Sequence, residues 1–185
     1  GYIAVEFAGI FNALGSQVYE IIRSEKVLRG FDESMRDGLQ DELTKNGVQI
    51  LSDVNVKSII KKGTSRFTVE FDKHAPLDVD VVMYATGRVP NTNDIGLEDV
   101  GIEINSKGAI VVDKYSQTNI ENIYAIGDVT DRINLTPVAL AEGMAFVNTV
   151  FHGIPTAADR ENVASAVFSQ PPIATVGLTE TEAAA

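Results

Sequence analysis

The sequence contains no cysteine and only two histidines among its 185 residues. Without cysteine, the chain can form neither a disulfide nor a thiolate nucleophile. His74 and His152 are far apart in polar surroundings, so we expect both at the surface and predict no metal site. No apolar run approaches the ~20 residues that cross a membrane. The sequence does not show the basic start and apolar core that are typical of a signal peptide.

Basic residues are also few relative to acidic ones, and the formal net charge is −11. This charge argues against nucleic acid and anionic membranes as partners. A hydrophobic share of 44% is ordinary for a globular protein. We therefore expect a cytoplasmic protein, with an organelle left open. A local basic pocket for a small anion is compatible with this overall charge.

The first 29 residues have the pattern of a dinucleotide-binding unit. Gly1 opens a predicted helix that Gly15 ends, and residues 17–22 are typical of a strand. Apolar residues recur at spacings of three and four, which puts them on one helix face: Ile3, Phe7, Ile10, Phe11 and Leu14. A helix N-terminus that follows a glycine turn favours a bound anion, because its N–H groups are unpaired.

Dinucleotide-binding turns carry the pattern G-x-G-x-x-G/A after a strand. Gly1 would be the second glycine of this pattern and Ala4 its third position. The preceding strand and the first glycine are absent, so we expect the chain to be an internal segment of a larger protein. On this stretch alone, an ordinary amphipathic helix that happens to begin with glycine would look the same.

Two arginines, Arg23 and Arg29, follow the predicted strand. NAD sites place an Asp or Glu at the end of this strand, where it binds the ribose hydroxyls. Ile22 and Arg23 stand there instead. Guanidinium groups match phosphate in a bidentate manner, so the pair favours NADPH, with its 2′-phosphate, over NADH. Two solvated surface arginines are the alternative interpretation.

The rest of the chain alternates helix and strand patterns. Asp32 is predicted to cap a helix that ends at Asn46-Gly47, and a second helix is predicted at 136–151, with Pro137 at its first position. Thr179 and Glu182 resemble a capping box. Strands are predicted at 48–51, 54–61, 66–71, 77–84, 109–112, 122–126, 163–168 and 173–176, with 54–71 forming a hairpin.

Three further motifs point to ligand binding. Ala85–Asn91 contains Gly87 at a strand end, where glycine lets backbone approach a ligand. Asp128 follows a predicted strand directly and could accept hydrogen bonds from ligand hydroxyls. Thr136-Pro137 begins a helix whose N-terminus could stabilise negative charge. Each motif alone is more often a turn with a helix cap, whereas together, in this order, they are specific.

In these motifs, and in residues 1–9, 28–32 and 167–172, the sequence resembles the pyridine nucleotide-disulfide oxidoreductases over its entire length. The likeness is greatest to the branch that reduces glutathione disulfide. The trypanothione-reducing branch shares much of the pattern, but residues 12–15 lack an insertion associated with it.

The resemblance implies an α/β fold with Rossmann-like, three-layer FAD- and NAD(P)-binding domains, present in part, and the start of an α+β dimerisation domain. Residues 1–87 would be the NADPH-binding domain without its first strand. Residues 88–152 would be the second part of the FAD-binding domain, and residues 153–185 the truncated start of the interface domain.

The resemblance also implies roles for individual residues. Tyr2 would cover the nicotinamide side of the flavin and move away when NADPH enters. The NADPH contacts would be Gly1, Ile3, Glu6, Arg23, Arg29, Gly87, Asn134 and Val167. The FAD contacts would be Gly127, Asp128 and Thr136. For Val167, plain strand core is the alternative.

Members of the family pass hydride from NADPH to FAD, and then electrons to a redox disulfide and to the substrate. The resemblance therefore implies FAD and NADPH as cofactors, glutathione disulfide as substrate and a homodimer at full length. The redox cysteines and the catalytic His–Glu pair lie outside this chain, so we predict no catalytic residue in it and expect it to be inactive by itself. The alternatives are a reductase of trypanothione or another small disulfide, and a non-catalytic nucleotide-binding module.

Overall fold

The computed structural model describes all 185 residues. They form two compact units, one of Gly1–Gly87 with Ala166–Ala185 and one of Arg88–Ser165. The chain thus leaves the first unit after Gly87 and returns to it near its end. The division into three functional domains stays a prediction.

The first unit contains a strand–helix–strand repeat. β1 (Tyr19–Ile21) and β2 (Gln49–Leu51) pair in parallel, and α2 (Glu33–Lys45) connects them. A parallel pair requires such a crossover, and this arrangement is the basic unit of a Rossmann-type fold. α1 (Tyr2–Ala13) precedes β1. These helices and strands confirm the pattern predicted for the first part of the chain.

The apolar stripe of α1 is not the face that packs in this unit. Its buried residues are Val5, Ala8 and Gly9, and Val5 and Ala8 join a core with Leu39, Leu43 and Val167. The small Ala8 and Gly9 allow the helix to approach its neighbours closely. The stripe is largely exposed, with exposed fractions of 39% at Phe7, 48% at Ile10 and 78% at Leu14.

An antiparallel sheet in the order β3–β4–β5 follows, with β3 at Val56–Lys62, β4 at Arg66–Phe71 and β5 at Leu77–Val79. It confirms the predicted hairpin. The predicted strand at 77–84 was too long. In this register Val79 pairs with Phe67, so residues beyond 80 would face the hairpin turn, where β4 has ended and no partner remains.

The second unit is built around α3 (Thr136–Phe151), which has a proline in its first turn as predicted. The strands predicted at 109–112 and 122–126 are wrong, because only isolated bridges form there, Ile104 with Ile110 and Gln117 with Tyr124. Asn105 and Asp113 each accept two backbone N–H donors through a side-chain oxygen. Such local bonds compete with strand ladders.

The last part of the chain forms β6 (Ser165–Val167) paired with β7 (Ile173–Thr175), and then α4 (Glu180–Ala183). The capping box of Thr179 and Glu182 is present as predicted. His74 and His152 are exposed, as predicted. None of the helices combines the length and the apolar character that crossing a bilayer requires.

Candidate functional site

One of the longer helices, α3, begins without a side-chain cap. Its N-cap is Leu135, whose side chain cannot accept a hydrogen bond. By contrast, Asp32 caps α2 by accepting a hydrogen bond from the Ser34 N–H at 3.0 Å, and a capping box closes α4. Uncapped N–H groups are open to an external anion. α3 is the helix at whose start the sequence analysis placed the negative charge of the flavin ring.

Arg23 stands at the carboxyl end of β1. The Ile22 N–H donates to the Leu51 carbonyl at 2.9 Å, so the ladder to β2 runs up to the residue before it. In open α/β sheets, ligands bind outside the carboxyl ends of parallel strands. No acidic side chain occupies the strand end.

The segment after β1 carries two kinds of cation. Lys26 lies 2.6 Å from an Asp37 oxygen and 3.2 Å from a Glu33 oxygen. Arg23 and Arg29 are exposed, and neither forms an ion pair or a side-chain hydrogen bond. These two guanidinium groups are therefore uncommitted, as the phosphate-binding interpretation requires.

The first half of α1 meets the end of β6. Tyr2 is half-buried against the core that contains Val5 and Val167. Glu6 Oε1 accepts a hydrogen bond from the Phe168 N–H at 2.9 Å. The structure thus brings Tyr2, Glu6 and Val167 together, with the Val167 side chain 1% exposed in the core.

The remaining residues assigned to NADPH lie on α1, at the end of the first unit and in the second unit. Gly1 is exposed and Ile3 is half-buried on α1. Gly87 ends the first unit with a φ of +132°, which L side chains rarely adopt, and nothing lies within 4 Å of the position of a Cβ there. Asn134 belongs to the second unit.

In the second unit, Gly127 begins a short 3₁₀ helix, Gly127–Thr130, with a φ of +71°. A Cβ at Gly127 would lie 3.2 Å from the Cβ of Ala139, so a side chain there would press on α3. The Gly127 N–H donates to Glu142 Oε2 at 2.7 Å. This bond ties the glycine turn to α3.

Glu142 is 1% exposed and forms a buried charge cluster that the sequence analysis missed. Its Oε1 lies 2.8 Å from Arg132 Nη2 and 3.3 Å from Arg160 Nη1. Burial lowers the pKa of Arg132. The sequence carries one signal of this cluster, because Glu142 is the single charged residue in the helix predicted at 136–151.

Asp128, in this turn, and Asn134, after it, both carry acceptor oxygens. The Asp128 side chain is 50% exposed, and its closest cation is Arg88, 3.7 Å away. Asn134 donates to Asp131 at 3.0 Å, whereas its Oδ1 is buried without a partner. Thr136 is exposed at the open start of α3. A buried acceptor without a partner suits a polar organic ligand such as a flavin nucleotide.

A family model described as pyridine nucleotide-disulphide oxidoreductase matches residues 1–143. The chain belongs to this family. The finding confirms the predicted family and the Rossmann-type fold class. Members of the family are oxidoreductases, and its description implies the use of a pyridine nucleotide.

Among curated relatives, the chain is 50% identical to a glutathione reductase from Burkholderia cepacia, over 99% of the chain and 40% of the relative. It is also 50% identical to a trypanothione reductase from Trypanosoma congolense, over 100% of the chain and 38% of the relative. The chain thus spans about two fifths of the length of these oxidoreductases.

Among solved structures, the chain is similar to the HOCl-induced flavoprotein disulfide reductase RclA from Escherichia coli. The TM-score is 0.93 at 34% identity, over 100% of the chain and 42% of that protein. The family is therefore that of flavoprotein disulfide reductases, with glutathione reductases among the homologues of the chain.

Proposed function

We propose that the full-length protein is an FAD-containing enzyme that uses NADPH to reduce glutathione disulfide. The observation that carries the choice of NADPH is the pair of uncommitted guanidinium groups, Arg23 and Arg29, beyond a β1 that ends without an acid. The end of β1 lacks the carboxylate that binds the ribose hydroxyls in NAD sites. The glutathione reductase of B. cepacia is similar over the same residues.

In this proposal, the start of α1 receives the coenzyme pyrophosphate at Gly1, where N–H groups and the helix dipole favour negative charge. Arg23 and Arg29 bind the 2′-phosphate through charge-assisted hydrogen bonds. The nicotinamide end lies near Tyr2, Ile3 and Glu6. Gly87 and Val167 complete the NADPH contacts of the first unit, with Tyr2 as a gate.

The second unit provides part of the FAD site. FAD, when bound, carries two electrons between NADPH and a disulfide. Asp128 would bind the ribityl or pyrophosphate region of FAD, Gly127 would let the backbone approach closely, and Thr136 would bind at the pyrimidine edge of the flavin. The open N-terminus of α3 stabilises negative charge on the flavin ring.

A spectrum and a set of rates on the full-length protein test the proposal. We expect a bound flavin spectrum and rapid oxidation of NADPH when glutathione disulfide is added. NADH should be at least about tenfold less effective, since it forgoes contacts worth roughly 1.5–3 kcal/mol each. Protein without flavin, or equal use of NADH, would overturn the proposal.

Trypanothione disulfide is the second candidate substrate, because the trypanothione reductase of T. congolense is equally similar. The same assay with trypanothione disulfide separates the two substrates. The glutathione assignment requires the higher kcat/KM with glutathione disulfide.

Light scattering of the full-length protein tests the proposed homodimer, and a monomer would contradict it.

A further inference from the structure

The segment that separates Arg23 from Arg29 is fastened to α2. Arg36 Nε donates to the Val27 carbonyl at 2.8 Å, and Nη2 donates to the Lys26 carbonyl at 3.1 Å. The Gln40 Oε1 accepts from the Val27 N–H at 3.1 Å. One planar guanidinium therefore holds two successive carbonyl groups of this segment.

The path of the segment needs such support. Leu28 has a φ of +51°, a left-handed conformation that is unfavourable for a residue with a Cβ. Val27 and Leu28 are each 2% exposed, so their side chains fix the middle of the segment in the core. The arginine side chain is itself largely buried, at 13% exposure. Arg23 and Arg29 stand on either side of this fixed stretch.

Arg36 and Lys26 also form ion pairs with acidic side chains of α2. Arg36 Nη1 pairs with Glu33, and Lys26 pairs with Glu33 and Asp37. Hydrogen bonds from Lys26 and Arg36 lower the pKa of Glu33. Glu33 and Asp37 are therefore engaged by Lys26 and Arg36, whereas Arg23 and Arg29 form no ion pair.

We propose that Arg36 is a positioning residue for the 2′-phosphate of the coenzyme. It does not touch the coenzyme. It sets the course of residues 26–28, and thereby the separation of the Arg23 and Arg29 guanidinium groups. This inference rests on the proposed function, in which these two groups bind that phosphate.

Calorimetric titration of the full-length, flavin-loaded protein with 2′,5′-ADP and with 5′-AMP tests the inference. Arg36→Lys keeps the charge but cannot hold both carbonyl groups and Glu33 at once. We expect its Kd for 2′,5′-ADP to rise about tenfold, and its Kd for 5′-AMP to stay within about twofold. Arg66→Lys, the same change at an exposed arginine of β4, is the matched control and should bind both ligands as wild type does.

Unchanged affinity of Arg36→Lys for 2′,5′-ADP would overturn the inference. An equal loss for both ligands would also overturn it, since the role would then be general folding. If Arg36→Lys fails to fold, Gln40→Met decides, because it removes only the acceptor for Val27. We expect it to lose affinity for 2′,5′-ADP selectively, and the absence of that loss would refute the inference.

The double variant Arg23→Ala/Arg29→Ala separates this inference from the proposed function. If the double variant binds 2′,5′-ADP as wild type does, the phosphate site itself is wrong. If it loses that binding while both Arg36→Lys and Gln40→Met keep it, only the positioning role fails.

Discussion

At the residue scale, Glu142 joins the glycine turn to two arginines inside the second unit. One oxygen accepts the Gly127 N–H, and the other pairs with Arg132 and Arg160. Removing one member of a buried ion pair leaves charge without compensation, which typically costs about 3–5 kcal/mol. The turn at Gly127, directly before Asp128, would also lose its hydrogen bond to α3.

We expect Glu142→Ala to lower the free energy of unfolding by about 3 kcal/mol and to reduce the bound flavin per protein. Glu142→Gln keeps an acceptor for the Gly127 N–H, so its flavin content should fall less. Denaturant titration and flavin absorbance of the full-length protein measure both effects. Glu161→Ala, at an exposed acid of the same unit, is the control, and a comparable effect there would refute the role of Glu142.

Glu20 is a second buried acid, in the middle of β1, and both of its carboxylate oxygens lack a partner. Burial raises the pKa of Glu20 from 4.5 to about 7. Between pH 4.5 and about pH 7, the folded protein therefore binds more protons than the unfolded protein. Stability should fall as the pH rises through this window.

Glu20→Gln removes this titration. At about pH 8 we expect the variant to be more stable than wild type by about 3 kcal/mol, and at about pH 4.5 the difference should vanish. Denaturant titration across this pH range measures the difference. Parallel stability curves for the two proteins would show that Glu20 does not titrate as described.

At the scale of elements, two glycines should respond to alanine in opposite directions. Gly127 has a φ of +71°, and a Cβ there would lie only 3.2 Å from the Cβ of Ala139. Gly38 lies inside α2, with nothing within 4 Å of a Cβ. Gly127→Ala should destabilise by about 1–3 kcal/mol, and Gly38→Ala should stabilise by about 0.5–1 kcal/mol. Thermal unfolding measures both, and the same sign for both would contradict this account of the turn.

The helices could be predicted from the sequence because their signals are local. Asp32 caps α2, Gly47 follows its end, and Thr179 closes a capping box with Glu182. Strand extents could not be predicted as well, because each depends on a partner. The strand predicted at 77–84 ends at Val79, because beyond this residue it would lie opposite the hairpin turn that precedes β4.

In the candidate site, too, some residues could be predicted from the sequence and others could not. Arg23 and Arg29 could be singled out because they follow a predicted strand and the residues around them match a family pattern. Glu142 and Arg36 could not, because their partners are backbone groups and side chains 9 to 18 positions away. Only the fold brings these groups together. The exposed stripe of α1 also shows that apolar periodicity alone does not identify the buried face.

At the scale of the whole molecule, the chain spans about two fifths of its curated relatives and contains no cysteine. Disulfide exchange requires a thiolate nucleophile. We therefore expect the 185-residue chain, supplied with FAD and NADPH, to reduce no glutathione disulfide, whereas the full-length protein should do so. Circular dichroism checks that the chain is folded, and turnover by the chain above the rate in buffer would contradict the expectation.

Binding of the coenzyme 2′-phosphate by Arg23 and Arg29 is tested most directly by steady-state kinetics of the full-length protein with both coenzymes. Hydrogen bonds to charged groups are worth roughly 1.5–3 kcal/mol, so Arg23→Ala/Arg29→Ala should raise the KM for NADPH by about one to two orders of magnitude. The KM for NADH should change by less than about twofold, since NADH has no phosphate at this position. An unchanged KM for NADPH, or an equal rise for both coenzymes, would contradict the assignment.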